Sequence, residues 1–136
     1  MQIYITGTAY ETALCLDRKR LINQVTEVRI IIDCLRGKNG WYRQPLVKMY
    51  WDHEQWLVHY METLRYVWEG KLKQAQQSSL LAEQVKPNWF CDWYFNIHKS
   101  RLYTKDKEHY KQWSYLGESH SNWYRVDGIW REYKQK

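Results

Sequence analysis

The chain has 136 residues, a mass of 16.9 kDa, a formal net charge of +6 and a pI near 9.2. That length holds one core and is short for two ordinary domains, so a single domain spanning 1–136 is expected. The basic balance points to an anionic partner, and the absence of any apolar run near ~20 residues excludes a membrane-spanning helix.

Aromatic residues make up 17% of the chain, with nine Trp and twelve Tyr against two Phe. The excess therefore lies in rings with a polar edge, which serve half-wet surfaces as well as cores. Cys15, Cys34 and Cys91 are odd in number and form no C-x-x-C pair, which speaks against a disulfide framework or a thiolate zinc site. His53 and His59 fall on different faces of one predicted helix, so neither metal nor cofactor is expected. Met1 to Gly7 lacks a basic leader with an apolar core, which gives a soluble cytoplasmic protein as the expectation. No apolar stripe is left over once the core is assigned, so a monomer is expected, without membrane association.

After an extended start, a small helix is predicted over Thr8 to Leu14. Asp17 is placed to cap a long helix whose Leu21, Val25, Val28, Ile32 and Leu35 recur at helical spacing. Gly37-Lys38-Asn39-Gly40 ends it, and a loop runs through Trp41-Tyr42-Arg43-Gln44 to Pro45. Pro45 suits the first turn of a second helix, predicted to continue to Glu69 with Gly70 as its stop. A third, polar helix is predicted over Lys71 to Val85, with Gln74, Gln76, Gln77, Ser78 and Ser79 on exposed positions. Lys86-Pro87-Asn88 breaks it, a fourth helix follows over Asp92 to Tyr103, and a helical turn over Asp106 to Gln112. From Ser114 the tail has little periodicity and reads as an ordered loop packed by its own aromatic residues. The predicted fold is all-α, a compact helical bundle with an aromatic-rich C-terminal loop segment.

Two clusters carry candidate chemistry. On the first long helix Arg20, Gln24, Glu27 and Ile31 recur on a flank beside the apolar stripe, which lets three polar groups reach one ligand. Glu27, among Val25, Val28 and Ile30, is a candidate acid or base, with a surface ion pair to Arg20 or Arg29 as the alternative. In the distal segment His98, Arg101, Lys105 and His109 also recur at helical spacing, within a run that crowds cations and rings before the aromatic tail. Cations neutralise phosphates and rings stack on unpaired bases, so the interleaving suits a nucleic acid. A solvated helix with core aromatics on its back fits the same run.

The pattern Leu16-Asp17-Arg18-Lys19-Arg20-Leu21 with Gln24 and Glu27, the helix start Gln44-Pro45-Leu46-Val47-Lys48-Met49-Tyr50, and His98-Lys99-Ser100-Arg101-Leu102 with Lys105 and Glu108-His109-Tyr110 resemble the pyrimidine-dimer DNA glycosylase family. The resemblance covers most of the chain in order, apart from the third helix. It implies an all-helical, metal-independent enzyme that flips a nucleotide out of double-stranded DNA and excises a damaged or modified base. The N-terminal amine would attack C1′ of the sugar to give an imine, and loss of a C2′ proton would allow β-elimination of the 3′ phosphate. α-Amines titrate near ~8, below lysine, so a usable fraction is the free nucleophile at neutral pH.

The resemblance matches Glu27 to the catalytic glutamate and Arg101 and Lys105 to cations that hold phosphates. Trp123, Tyr124 and Arg125 match an aromatic-basic triplet that contacts DNA. His98 matches the family's bacterial branch, and Arg20 stands where a family member has histidine. Gln2 is too large for efficient removal of the initiator methionine, so the nucleophile here would be the amine of Met1. Thr26 replaces an arginine beside the catalytic glutamate, which leaves the excised base open between a pyrimidine dimer and another altered base. A non-catalytic DNA- or RNA-binding protein on the same fold is the rival reading, and another base-processing activity a third.

Overall fold

A computed structural model describes residues 1–134. The described residues form six α-helices, a 3₁₀ helix and a C-terminal hairpin. The helices are α1 (Ala9–Cys15), α2 (Arg18–Leu35), α3 (Pro45–Met49), α4 (Glu54–Trp68), α5 (Leu72–Gln84) and α6 (Asp92–Lys105). The 3₁₀ helix spans Lys111–Leu116, and the hairpin pairs β1 (Ser121–Val126) with β2 (Ile129–Lys134). The protein is thus mainly but not purely α.

Local chemistry sets the helix ends. Thr8 and Glu11 form a capping box at α1: the Thr8 hydroxyl accepts the Glu11 N–H at 3.1 Å, and the Glu11 carboxylate accepts the Thr8 N–H at 3.0 Å. α2 buries Leu21, Val25, Val28 and Ile32, and it stops where Gly37 takes a φ of +72° that a side chain would strain. Asp17 occupies the N-cap position of α2 but makes no capping bond, because its carboxylate is held instead by Arg20 and Tyr110.

Three expectations are corrected by tertiary structure. The helix predicted from Pro45 to Glu69 is two helices, α3 and α4, joined by a turn at Tyr50 to His53. The bend lets Tyr50 stack on Trp56 at 5.9 Å while both rings stay buried, which one straight helix would not allow. Ser78 and Ser79 are buried, since with Ala75 and Ala82 they give α5 a small-residue face against α4; the Ser79 hydroxyl accepts the Tyr10 N–H at 2.9 Å. The predicted C-terminal loop is a hairpin whose Asp127-Gly128 turn has positive φ at both residues, 55° and 75°, as a two-residue turn of right-twisted strands requires. Its last two predicted residues lie outside the described ones.

The N-terminal segment is extended and runs through the middle of the bundle, with Ile3, Tyr4, Ile5 and Thr6 all buried. Among the described residues no strand pairs with it, so side chains satisfy its backbone. The Gln24 amide accepts the Tyr4 N–H at 2.8 Å and donates to the Gln2 carbonyl at 3.0 Å. The Tyr60 hydroxyl donates to the Tyr4 carbonyl at 2.6 Å, His98 Nδ1 accepts the Ile5 N–H at 2.7 Å, and the Thr12 hydroxyl accepts the Thr6 N–H at 3.0 Å. Removing one such partner strands a buried backbone group. Tyr60→Phe is therefore expected to cost about 1–3 kcal/mol in urea unfolding, and an unchanged midpoint would mean that the Tyr4 carbonyl finds another donor.

Candidate active site

Against the first turns of α2 the N-terminal segment leaves a cleft of about 180 Å³ lined by Gln2, Tyr4, Arg20, Asn23, Gln24 and Glu27. A larger hollow of about 370 Å³ lies at the α4–α5 junction, but its Glu69 and Lys71 already pair at 3.1 Å and it contains no orphaned polar group. The cleft does contain one. Glu27 Oε2 is buried without a hydrogen-bond partner, and Glu27 enters no ion pair among the described residues. A desolvated carboxylate oxygen left unpaired in a polar cleft is arranged to meet a ligand proton or cation.

Arg20, on the same flank, is turned to Asp17 at 3.1 Å. Asp17 in turn accepts from the Tyr110 hydroxyl, which itself accepts the Asp17 N–H at 2.9 Å. Burial pushes the Asp17 carboxyl up, yet the bonds from Tyr110 and Arg20 outweigh it and hold the group below its ordinary pKa. Arg20 is correspondingly raised despite its own burial. Asp17 and Tyr110 thus fix the Arg20 guanidinium at the mouth of the cleft.

Arg101 lies behind Gln2. It is 1% exposed, donates to the side-chain carbonyls of Gln2 and Asn122, and leaves Nε and Nη2 without partners. Burial lowers its pKa, opposed by the tyrosines Tyr4, Tyr124 and Tyr94 around it. Lys105, one turn further along α6, is lowered by burial and by the charges of Arg101 and Arg20. Lys105 therefore feels both guanidinium charges, and among the described residues Asp17 is the one carboxylate in an ion pair with any of the three.

Gln24 lines the cleft but has its amide engaged by the backbone. His98 is 3% exposed; burial first, then the Arg101 charge, brings its pKa to about 3, so it stands as a neutral acceptor behind Ile5 rather than as a cation facing solvent. Met1 is 39% exposed, and no carboxylate among the described residues lies within 4.0 Å of its amine. His109 is exposed beside Cys15 and lies outside the cleft. Of the β1 triplet, Tyr124 neighbours Arg101, Trp123 packs edge-on to Trp93 at 5.4 Å, and Arg125 lies over Trp130 at 5.7 Å. Gln2, Tyr60, Tyr110 and Asn122 also build the site, and helical spacing carries no signal for them, since each acts through bonds to residues far away in the sequence.

A sequence model of the family described as pyrimidine dimer DNA glycosylase matches residues 1–75, more than half of the chain. The chain belongs to this family. No curated protein and no solved structure matches it. Membership of the pyrimidine dimer DNA glycosylase family implies a DNA glycosylase acting on DNA with pyrimidine dimers. The matched segment contains the extended N-terminus, Arg20, Gln24 and Glu27, so the cleft lies wholly within the family-defining part. None of the described helices is long and apolar enough to cross a membrane.

The neutral His98 gives the pyrimidine dimer glycosylase fold a defined pH dependence. With a folded pKa near 3 against the ordinary 6.5, the ring takes up a proton only on unfolding between those values, so stability falls as pH drops through that window. From pH 7 to pH 5 this residue is expected to remove about 2 kcal/mol. His98→Gln keeps an acceptor for Ile5 and should flatten that slope in urea titrations. Equal slopes in the two proteins would remove His98 as the source.

Proposed function

We propose that the protein is a bifunctional DNA N-glycosylase and AP lyase that acts on double-stranded DNA bearing a pyrimidine dimer. The N-terminal amine of Met1 is the nucleophile and Glu27 the acid and base. The observation that carries this reading is the buried, unpaired Glu27 Oε2 in a cleft walled by the first residues of the chain. An exposed Met1 and a Glu27 free of ion pairs weigh against a merely DNA-binding scaffold.

The target nucleotide is flipped out of the duplex, at a cost of roughly a few kcal/mol that is least for a damaged pair. The free amine attacks C1′, the glycosidic bond breaks, and the base leaves with a proton. The amine nitrogen loses a proton, its lone pair then expels O4′ so that the C1′–O4′ bond breaks and an iminium forms at C1′, O4′ takes up a proton, and Glu27 moves protons between these atoms. The carboxylate then takes a C2′ proton, a C1′–C2′ enamine forms, and the C3′–O bond breaks with the phosphate as leaving group. Arg20, Arg101 and Lys105 hold the phosphates on either side of the extruded sugar. Trp123, Tyr124 and Arg125 contact the DNA strand from β1, and His109 extends the basic edge. Gln24 and His98 act through the N-terminal segment, whose register they set.

Glu27→Gln keeps the size of the side chain and removes its basicity. Strand cleavage of dimer-containing duplex is expected to fall by at least ~100-fold, the range of a lost general acid-base group, with DNA affinity retained in a gel-shift assay. Unchanged cleavage would remove Glu27 from the mechanism. Borohydride added to wild-type protein with abasic-site duplex, and separately with cyclobutane-dimer duplex, should trap a covalent adduct that peptide mapping places on Met1. An adduct with the abasic duplex alone would point to another altered base. No adduct with either, despite salt-sensitive binding, would leave a binding protein.

A further inference from the structure

The segment between α2 and α4 presents rings that the core does not use. Trp41 is 52% exposed, Tyr42 42% and Trp51 38%. Tyr42 and Trp51 are stacked, with centroids 4.9 Å apart and planes 17° from parallel. They are held rigidly: the Trp51 indole N–H donates to the Tyr42 carbonyl at 3.0 Å, and the Lys48 ammonium lies 5.4 Å from the Trp51 ring centre. At the loop's other end the Asn39 side chain accepts the Trp41 N–H at 3.0 Å, and the Gln44 N–H donates to the Trp41 carbonyl at 3.1 Å. Large rings locked in place yet left in water mark a surface that a partner covers.

The charge around the rings selects the partner. Arg36 and Lys38 are neutralised by Glu54 and Asp33 at 3.0 and 3.6 Å. Arg43 and Lys48 enter no ion pair among the described residues, and Asp52 is the one carboxylate of the segment that also stands unpaired. A flat, stacked aromatic pair with surplus cations beside it matches a nucleic-acid base with its flanking phosphates. The platform is also tied to the cleft. β1 packs against α3, and its Asn122 reaches Arg101, which in turn holds Gln2 at the cleft wall.

We propose that Trp41, Tyr42 and Trp51 form a stacking platform for an unstacked base of the DNA bound at the cleft, with Arg43 and Lys48 on the adjoining phosphates. The proposal rests on the DNA reading above and adds a second point of grip that involves neither Met1 nor Glu27. Because every base has a π-face, this grip is tolerant of sequence and answers to distortion of the duplex.

The test uses the full chain and duplexes carrying a tetrahydrofuran abasic analogue, with 2-aminopurine placed at successive positions around it. Wild-type protein is expected to quench 2-aminopurine at one position by stacking. Trp51→Ala and the fully peripheral Trp41→Ala should each lose that quenching and weaken binding roughly 10-fold or more, with unchanged melting temperatures, and Trp51→Phe should restore most of both. Folded variants that bind within twofold of wild type and quench as it does would overturn the platform. So would variants that keep their DNA affinity but lose binding to phosphatidylglycerol vesicles, which would make the patch a membrane contact. Borohydride trapping by wild-type protein is read separately: its failure removes the imine mechanism, while the quenching and affinity still decide the platform.

Discussion

An extended segment buried among helices has no ladder to satisfy its amides, and here helices lend side chains for the purpose. A single Gln24 amide binds both the Gln2 carbonyl and the Tyr4 N–H, Tyr60 caps the Tyr4 carbonyl from α4, and His98 meets Ile5 from α6. Each bond is short-ranged and directional, so a slip of one residue would strand several buried polar groups at once. The register of the first residues is therefore fixed by the same helices that build the core. That register brings Gln2 and Tyr4 to the wall of the cleft, and it is the kind of rigid support that the nucleophile proposed at Met1 requires.

Electrostatics adds a second constraint. Taking the Arg101 guanidinium to 1% exposure with two nitrogens unpaired costs several kcal/mol that the Gln2 and Asn122 carbonyls and the surrounding tyrosines offset only in part. Its charge also bears on Lys105, whose pKa is lowered first by burial and then by Arg101 and Arg20. A buried guanidinium with unpaired nitrogens is better matched by an anion than by the neutral carbonyls it meets, which supports the phosphate role proposed for Arg101. Glu27 has the opposite sign but the same logic, because its buried Oε2 also lacks a partner.

Periodicity made the helical frame legible. The apolar stripe of α2, the Gly37 stop, the polar α5 and the span of α6 all appear in the spacing of residues, since a helix buries one face against whatever lies beside it. What periodicity missed was decided at long range: the Tyr50 bend follows from stacking on Trp56, and the burial of Ser78 and Ser79 from the approach of α4. The hairpin was signalled locally by Asp127-Gly128 between β-prone runs, but the density of aromatic residues masked the alternation. At the site, helical spacing grouped Arg20, Gln24 and Glu27 on one flank, and all three line the cleft. It also grouped His98 with Arg101 as cations, and there burial decides: His98 is neutral and faces backbone. Spacing gives the face on which a side chain lies and does not give its protonation state or its partner.

The division of the chain follows the chemistry. Residues 1–75, which define the family membership, carry the amine, Glu27 and the cleft, whereas Arg101, Lys105 and the hairpin come from the remainder. The two parts meet through bonds at the positions that matter most: His98 to Ile5, Arg101 to Gln2, and Tyr110 to Asp17, the residue that holds Arg20. A substitution on the outer face of the hairpin leaves those three bonds intact, so on the proposed function it alters the grip on DNA without moving Glu27 or the first residues. A substitution at residue 98, 101 or 110 acts on the N-terminal segment or on Arg20 directly. In this architecture the second half is the back wall that holds the N-terminal segment and, on the proposed function, also the surface that meets the strand, so only that surface is free to vary independently of the proposed chemistry.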